Sequence, residues 1–349
     1  RPRIRGVIAT DTMDAREKSL NGNKYAQVFA NKDFFAEVYP MDKKSKAGEG
    51  LRMFLQDYGI PDYLVSDGSK EQTSAGTTFQ ETIRKNGIRH KVTNRHRPNQ
   101  NPAEGTIREL RKKWFRIMVR KNVPRCLWDY GLKYVARIMQ LTASHSGRNN
   151  GRTPLERLTG HTPDISEWID FSFYDRVWYY PTPGIAEPRM GRWLGVANDI
   201  GSKMSYWILQ SNGERIVTTD VQRIPVSETQ TEEYKQRTTE FDATLHAKLR
   251  EDPLTIRGAK PDPRDWRLFF EDDADFGEEF DMLIDNELVP EADSTFDPDA
   301  YDTYLNMEVN MPRPDGGNDF ARVAKRAKGD DGMSIGVPNA NPLLDTRLY

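Results

Sequence analysis

The order of the elements in the first 143 residues is what most limits the fold. Three short strand-like runs come first. They are Arg5-Gly-Val-Ile-Ala-Thr-Asp11, then Lys24-Tyr-Ala-Gln-Val-Phe-Ala30 after a turn at Asn21-Gly-Asn23, then Phe34-Phe-Ala-Glu-Val-Tyr39, ending at Pro40. Short polar connections between such β-branched and aromatic runs predict an antiparallel meander. From Ala47 to Tyr58, residues Leu51, Phe54, Leu55 and Tyr58 share one helical stripe, with Gly59 placed as a C-cap. Tyr63-Leu-Val-Ser66 is a fourth strand that delivers Asp67-Gly68 at its end. Thr78 to Asn86 reads as a short helix stopped by Gly87, and Arg89-His-Lys-Val-Thr93 as a fifth strand. After a loop from Asn94 to Pro102, helices run from about Ala103 to Arg120 and from about Leu127 to Ala143. Three strands, helix, strand, helix, strand and then helices describe an α/β chain: a mixed sheet with helices packed on its faces.

From Phe171 to Ile224 the period changes. Phe171-Ser-Phe-Tyr, Asp175 to Tyr180, Gly191 to Val196, Ser205 to Leu209 and Arg215 to Thr219 are short strands divided by turn residues, and Asn212-Gly213 is a two-residue hairpin signal. This predicts a small β-barrel module over 171–226, joined to the first domain (1–150) by a linker at 151–170. Beyond Pro225 periodicity fades. Residues 227–349 read as a largely disordered acidic tail with one helix near 231–250.

Charge sharpens that division. The 349 residues carry a formal net charge of -2, but 227–349 hold 29 Asp+Glu against 14 Lys+Arg, a net of -15, which leaves 37 against 24, a net of +13, for 1–226. A basic half followed by an acidic one fits an anionic partner for the first. Hydrophobic residues make up 36%, low for a chain in which every segment joins a core. The single cysteine, Cys126, excludes a disulfide framework and a cysteine-rich zinc module, and it reads as helix packing. No window approaches the ~18 consecutive apolar residues of a membrane span. The chain opens on RPRIRGVIATD without Met or an apolar signal core, so we read it as a piece of something longer.

Three carboxylates stand where a sheet would gather them. Asp11 lies at or just past the end of strand one, Asp67 at the end of strand four, and Glu104 at the start of the long helix. Strand ends and adjacent helix starts are where ligands collect, and clustered carboxylates suit Mg²⁺ or Mn²⁺. Each acid has a plainer reading: Asp11 as a turn former, Asp67 as an Asx-turn before Gly68, Glu104 as a first-turn acid on a helix dipole.

Spacing and neighbours favour the functional reading. Asp11 and Asp67 are 56 positions apart, and 36 residues separate Asp67 from Glu104. With Asp11-Thr12, Val65-Ser66-Asp67-Gly68, Asn99-Gln-Asn-Pro-Ala-Glu104 and Trp114 ten residues on, this resembles the D,D(35)E catalytic core of retroviral and LTR-retrotransposon integrases. Arg152-Thr-Pro-Leu-Glu156 and Leu158-Thr-Gly-His-Thr-Pro163 resemble the segment that follows the core in copia-type elements, and Asn341-Pro-Leu-Leu-Asp345 resembles the connector toward reverse transcriptase. Pro102 stands where the family usually has glycine, and proline suits a helix start.

The resemblance implies an RNase H-like mixed five-stranded sheet and a metal-dependent polynucleotidyl transferase. Asp11, Asp67 and Glu104 would be the catalytic residues and would bind two Mg²⁺ (or Mn²⁺) ions. Its partners would be double-stranded DNA (element ends and target), the reverse transcriptase portion of the same polyprotein and further copies of itself, with no membrane. It would work in the nucleus after assembly in cytoplasmic virus-like particles. The family's N-terminal His-His-Cys-Cys zinc module is not found among these residues, and we expect it to precede them. Arg108 and Arg111, one and two turns beyond Glu104, with Lys112 (and Lys113) beside them, would meet DNA. Arg95, His96, Arg97, Asn99 and Gln100 in the preceding loop could hold phosphates. In the β module Arg176, Arg189, Arg192, Lys203 and Arg215 interleave with Trp178, Trp193 and Trp207, as a DNA-binding or multimer-forming surface or as a tryptophan core. Arg322 to Lys328 is a basic run of the kind that can direct nuclear import. The alternatives are an RNase H-like nuclease that uses water and a domesticated copy that binds DNA without catalysis.

Overall fold

The computed structural model describes residues 2–93, 103–143, 151–181, 187–198, 200, 204–249 and 269, and the strands within 308–339. It divides into two compact units, Arg1–Asn286 and Glu287–Tyr349.

In the first unit the predicted order is realised. Strands β1 (Arg3–Asp14), β2 (Tyr25–Ala30) and β3 (Ala36–Met41) are followed by helix α1 (Ala47–Asp57) and β4 (Ile60–Ser66). Then come α2 (Lys70–Thr73), α3 (Thr78–Asn86) and β5 (Arg89–Val92), followed by α4 (Glu104–Arg120) and α5 (Trp128–Leu141). The sheet order is β3-β2-β1-β4-β5. β1–β2 and β2–β3 are antiparallel, whereas β1–β4 and β4–β5 are parallel. It is a mixed five-stranded sheet with flanking helices.

Alternation along the strands splits the core in two. Ile4, Ile8, Phe29 and Leu64 pack with Leu51, Phe54, Phe79 and Ile83 of α1 and α3. Ala9, Met13, Val28, Val38 and Val65 pack with Leu110, Trp114 and Phe115 of α4 and Leu132 of α5 on the other face. Phe29 stacks on Phe54 at 4.5 Å. Cys126 is buried in the second cluster. Gly87 closes α3 at φ +60°, and a Cβ on Gly59 would meet the Pro2 carbonyl oxygen at 2.4 Å, so both positions require glycine.

Two sequence expectations fail here. Pro40 does not end β3, because β3 is an edge strand and an edge tolerates a residue without N–H. Asp11 is not at the end of β1, which runs on to Asp14 paired with β2.

Helices α6 (Pro154–Thr159) and α7 (Ser166–Ile169) lead to a second sheet: β6 (Arg176–Tyr179), β7 (Arg189–Val196), β8 (Tyr206–Leu209), β9 (Arg215–Thr218) and β10 (Val221–Arg223). Its order is β10-β6-β7-β8-β9, antiparallel throughout. Thr218 and Val221 therefore lie on opposite edges although only Thr219 and Asp220 separate them. Three Cα steps reach about 11 Å, while five flat strands would put the edges about 19 Å apart, so the sheet must curl. Phe171 to Tyr174, expected as a strand, is instead a turn with Tyr174 at φ +64°. It drives Phe171, Phe173 and Tyr174 into the interior. The three-residue strand β10 is too short to show a period and was not expected.

Helices α8 (Val226–Thr229) and α9 (Glu232–Leu249) follow. α9 matches the helix expected near 231–250. Tyr234, Thr238, Phe241, Leu245 and His246 are its buried face, and Asp242 accepts from Arg192 at 2.6 and 2.8 Å and from Arg176 at 2.7 Å. Phe269 is buried against Trp114 and Trp128, with ring centroids 5.2 and 6.3 Å apart. Among the described residues no helix is long and apolar enough to cross a membrane.

The second unit contains β11 (Glu308–Pro312), β12 (Asn318–Lys328) and β13 (Ser334–Asn339), an antiparallel sheet in the order β11-β12-β13. The basic run Arg322 to Lys328 lies on its central strand.

Candidate active site

The parallel ladder between β1 and β4 ends at the pair Thr10↔Ser66. Asp11 and Asp67 are the next residues on each strand, so the topology sets two half-buried carboxyl-bearing residues at adjacent positions past one ladder end. Continuing the alternation, Asp11 falls on the face of Ala9 and Met13, and Asp67 on that of Val65. This is the face that α4 covers. Asp11 Oδ1 accepts the Thr12 N–H at 2.8 Å. Asp67 Oδ1 accepts the Ser69 N–H at 3.2 Å, an Asx-turn leading into α2.

Glu104 opens α4 over the same face. Ala103 is fully buried, and the Thr106 hydroxyl donates to the Asn31 carbonyl at 2.6 Å, which fixes this first turn against the end of β2. Glu104 accepts from Arg108 at 3.1 Å. The structure brings Asp11 and Asp67 to neighbouring positions but does not draw Glu104 in with them: among the described residues no three His, Cys, Asp or Glu side chains gather closely enough to hold a metal ion. The donor set still suits a hard divalent cation, which takes carboxylate oxygens and keeps several waters.

The expected DNA contacts divide. Arg95, Arg97, Asn99 and Gln100 (with His96) lie outside the described residues. Arg108 is exposed beside Glu104. Arg111 is only 4% exposed, within the packed side of α4. Lys112 is half-buried, and exposed Lys113 pairs with Glu109 at 3.2 Å. In the second sheet Trp193 and Trp178 are buried, Arg192 is held by Asp242, and the Arg215 guanidinium donates to Tyr130 Oη at 2.8 Å.

Sequence reading missed a set of buried polar side chains on the opposite face of the sheet from the carboxylates. Thr10, Gln27, Ser66 and Gln72 are essentially without exposure. Gln27 Nε2 donates to Thr10 Oγ1 at 2.5 Å, Thr12 Oγ1 donates to Gln27 Oε1 at 2.8 Å, and Gln72 Nε2 donates to Thr12 Oγ1 at 3.0 Å. Ser66 Oγ lies 2.8 Å from His90 Nε2, and Gln80 Nε2 lies 3.1 Å from His90 Nδ1. Burial pushes the His90 imidazole below its usual range. The one local signal was a glutamine and two threonines at strand positions that otherwise carry apolar residues.

Comparison with known proteins adds names without a family. No protein-family profile matches the chain, and no curated protein matches it. Among solved structures it is similar to a simian T-cell lymphotropic virus intasome in complex with PP2A regulatory subunit B56 gamma. There the identity is 15% and the TM-score 0.35, over 64% of this chain and 83% of that one. It is similar to the catalytic core domain of BIV integrase at 14% identity and a TM-score of 0.34, over 44% and 92%. It is also similar to the HTLV-2 integrase catalytic core in complex with magnesium, at 14% and 0.33, over 44% and 95%. At such low scores the strand order of the chain itself, rather than any overlay, carries the fold assignment.

Proposed function

We propose that this chain is the integrase region of a copia-type LTR retrotransposon polyprotein, a polynucleotidyl transferase that joins element DNA 3′ ends to target DNA. One observation carries the reading. Asp11 and Asp67 follow the last pair of one parallel ladder, on the sheet face covered by the helix that Glu104 begins. The motifs around these three acids and their spacing support it.

Asp11, Asp67 and Glu104 would hold Mg²⁺ or Mn²⁺, two ions in all. When bound, such ions activate an attacking 3′-hydroxyl and stabilise the leaving 3′-oxygen. The protein's own groups have three tasks. Asp11, held within β1 by its pairing with β2, and Asp67, held by its Asx-turn, would present oxygen ligands just past the end of the parallel ladder. Glu104, whose carboxylate pairs with Arg108, would supply the third carboxylate of the cation site. Arg108, exposed on the helix surface, would offer its guanidinium to a DNA phosphate, a contact that makes no demand on base sequence. The curled second sheet would complete a small barrel that contributes to DNA binding or multimer formation. Two element ends must be handled together, so the working form would be a multimer.

A strand-transfer assay tests this. The 349-residue chain is incubated with a labelled blunt duplex and a plasmid in Mg²⁺ or Mn²⁺, beside Asp67→Asn. Joined product should form in the first and fall on the order of a thousandfold in the second, because several kcal/mol of charge stabilisation is lost. Metal-dependent nicking without joining would point to a nuclease, and DNA binding that survives chelation with no reaction to a binding protein.

A further inference from the structure

The polar side chains behind the carboxylates form a directed chain of hydrogen bonds. Gln80 Nε2 donates to the Gln72 backbone carbonyl at 2.5 Å. This fixes which end of the Gln80 amide faces His90, because turning it over would set its oxygen against that carbonyl. The amide nitrogen therefore donates to His90 Nδ1, and the imidazole proton sits on Nε2. His90 Nε2–H donates to Ser66 Oγ at 2.8 Å, and the Ser66 hydroxyl donates in turn to the Asp67 carbonyl oxygen at 3.0 Å. Every donor meets an acceptor, and the chain closes only with a neutral imidazole.

The same elements hold Asp67 from its other side. The Ser66 carbonyl accepts the Thr93 N–H at 2.8 Å. Gln72, whose carbonyl orients Gln80, donates its own amide to Thr12, next to Asp11. His90 lies in β5, Thr93 directly follows it and Gln80 lies in α3, so two segments outside β4 fix the backbone on which Asp67 rides. The ring of Phe79 lies edge-on to that of His90, with centroids 6.2 Å apart.

We propose that His90 is a positioning residue for the reaction: through the Ser66 hydroxyl it locks the Asp67 peptide so that the carboxylate is presented at the ladder end beside Asp11. The proposal rests on the functional reading above. Groups that orient ligating side chains cost about 10–100-fold in metal affinity or activity when removed.

The test uses the full chain and strand transfer in Mn²⁺, with kcat, KM for the DNA duplex and the Mn²⁺ concentration for half-maximal rate measured for each variant. His90→Phe should lower kcat about tenfold or more and raise the Mn²⁺ requirement, with KM for DNA within about twofold of wild type. His90→Gln, whose amide nitrogen can replace Nε2–H, should recover most of the rate. Ser66→Ala should reproduce the loss, and adding His90→Phe to it should cost little more, since both break one chain. If His90→Phe proves unfolded by circular dichroism, Ser66→Ala decides the matter alone. Wild-type rate and metal requirement in both single variants, or losses that add fully, would overturn the proposal. If Asp67→Asn abolishes joining while His90→Phe and Ser66→Ala do not, only this inference falls. If wild type does not join, or Asp67→Asn joins equally well, the functional reading falls and the proposal with it.

Discussion

The two five-stranded sheets of the first unit use their polar residues in opposite ways. The mixed sheet ends its central parallel ladder at Thr10↔Ser66 and leaves Asp11 and Asp67 just beyond that pair. The antiparallel sheet curls its edges toward each other and turns its charges inward. Arg192, 7% exposed, and Arg176 are spent on Asp242 of α9. Parallel strands need crossover helices, so their ends open onto helix starts where ligands can gather. A curled meander has no such end, and its Arg192 and Arg176 became structural. Basic residues interleaved with tryptophans resemble a DNA surface in sequence, yet two of these arginines and two of these tryptophans are interior or bridging groups.

That contrast can be broken by experiment. The largest effect on stability should come from Asp242→Asn, which leaves Arg192 buried without its anion. Removing one partner of a buried pair costs ~3–5 kcal/mol, and since Asp242 keeps 25% of its side-chain exposure the lower end, about 3 kcal/mol, is expected in urea unfolding. Burial raises the Asp242 carboxyl, but the Arg192 and Arg176 guanidiniums outweigh it and hold the group below the usual carboxylate range. Its contribution is therefore present at and above that range and is lost as pH falls through the lowered value. The gap between wild type and variant should persist at neutral pH and close in acid. A gap that does not close would mean that the pair is not what Asp242 contributes.

A smaller effect should follow from the histidines. Burial pushes both His90 and His246 below the usual imidazole range, and for His246 the Arg192 charge adds to this against Asp242. The unfolded chain then binds more protons than the folded one just below pH 6.5. Stability should be level above that pH and decline below it, by no more than about 1.4 kcal/mol per pH unit for each histidine. His246→Gln should remove the share that belongs to the second sheet and α9, and His90→Gln that of the mixed sheet. A profile flat from pH 7 to 5 would contradict the buried neutral state of both.

Much of the mixed sheet was legible because its strands carry a period of two and its helices a period near 3.6. Leu51, Phe54 and Leu55 sit on the stripe their spacing predicts, and Gly87 caps α3. Pro40 misled because a strand's place at the edge of a sheet is a property of the whole fold. Tyr174 misled because nothing local announces a tyrosine in the left-handed region. The acids were found through spacing and neighbouring motifs, while the alternation that sets Asp11 and Asp67 on one face appeared only with the ladder register. The chain from Gln80 to Asp67 was not legible at all, since its members come from α3, β5 and the end of β4. The role of Asp242 was equally hidden, because an acid in an acidic segment gives no sign that it is the one bound by two arginines.

The proposed function requires Asp11 and Asp67 to make a divalent-cation site at the ladder end. The most direct measurement is thermal unfolding of the 349-residue chain with increasing Mn²⁺ or Mg²⁺, beside Asp11→Asn with Asp67→Asn. A cation that binds only the folded state stabilises it by about 2.7 kcal/mol at a hundred times its Kd. Tm should rise with metal in wild type and stay level in the double variant. An equal rise in both, or none in wild type up to tens of millimolar Mg²⁺, would contradict the claim.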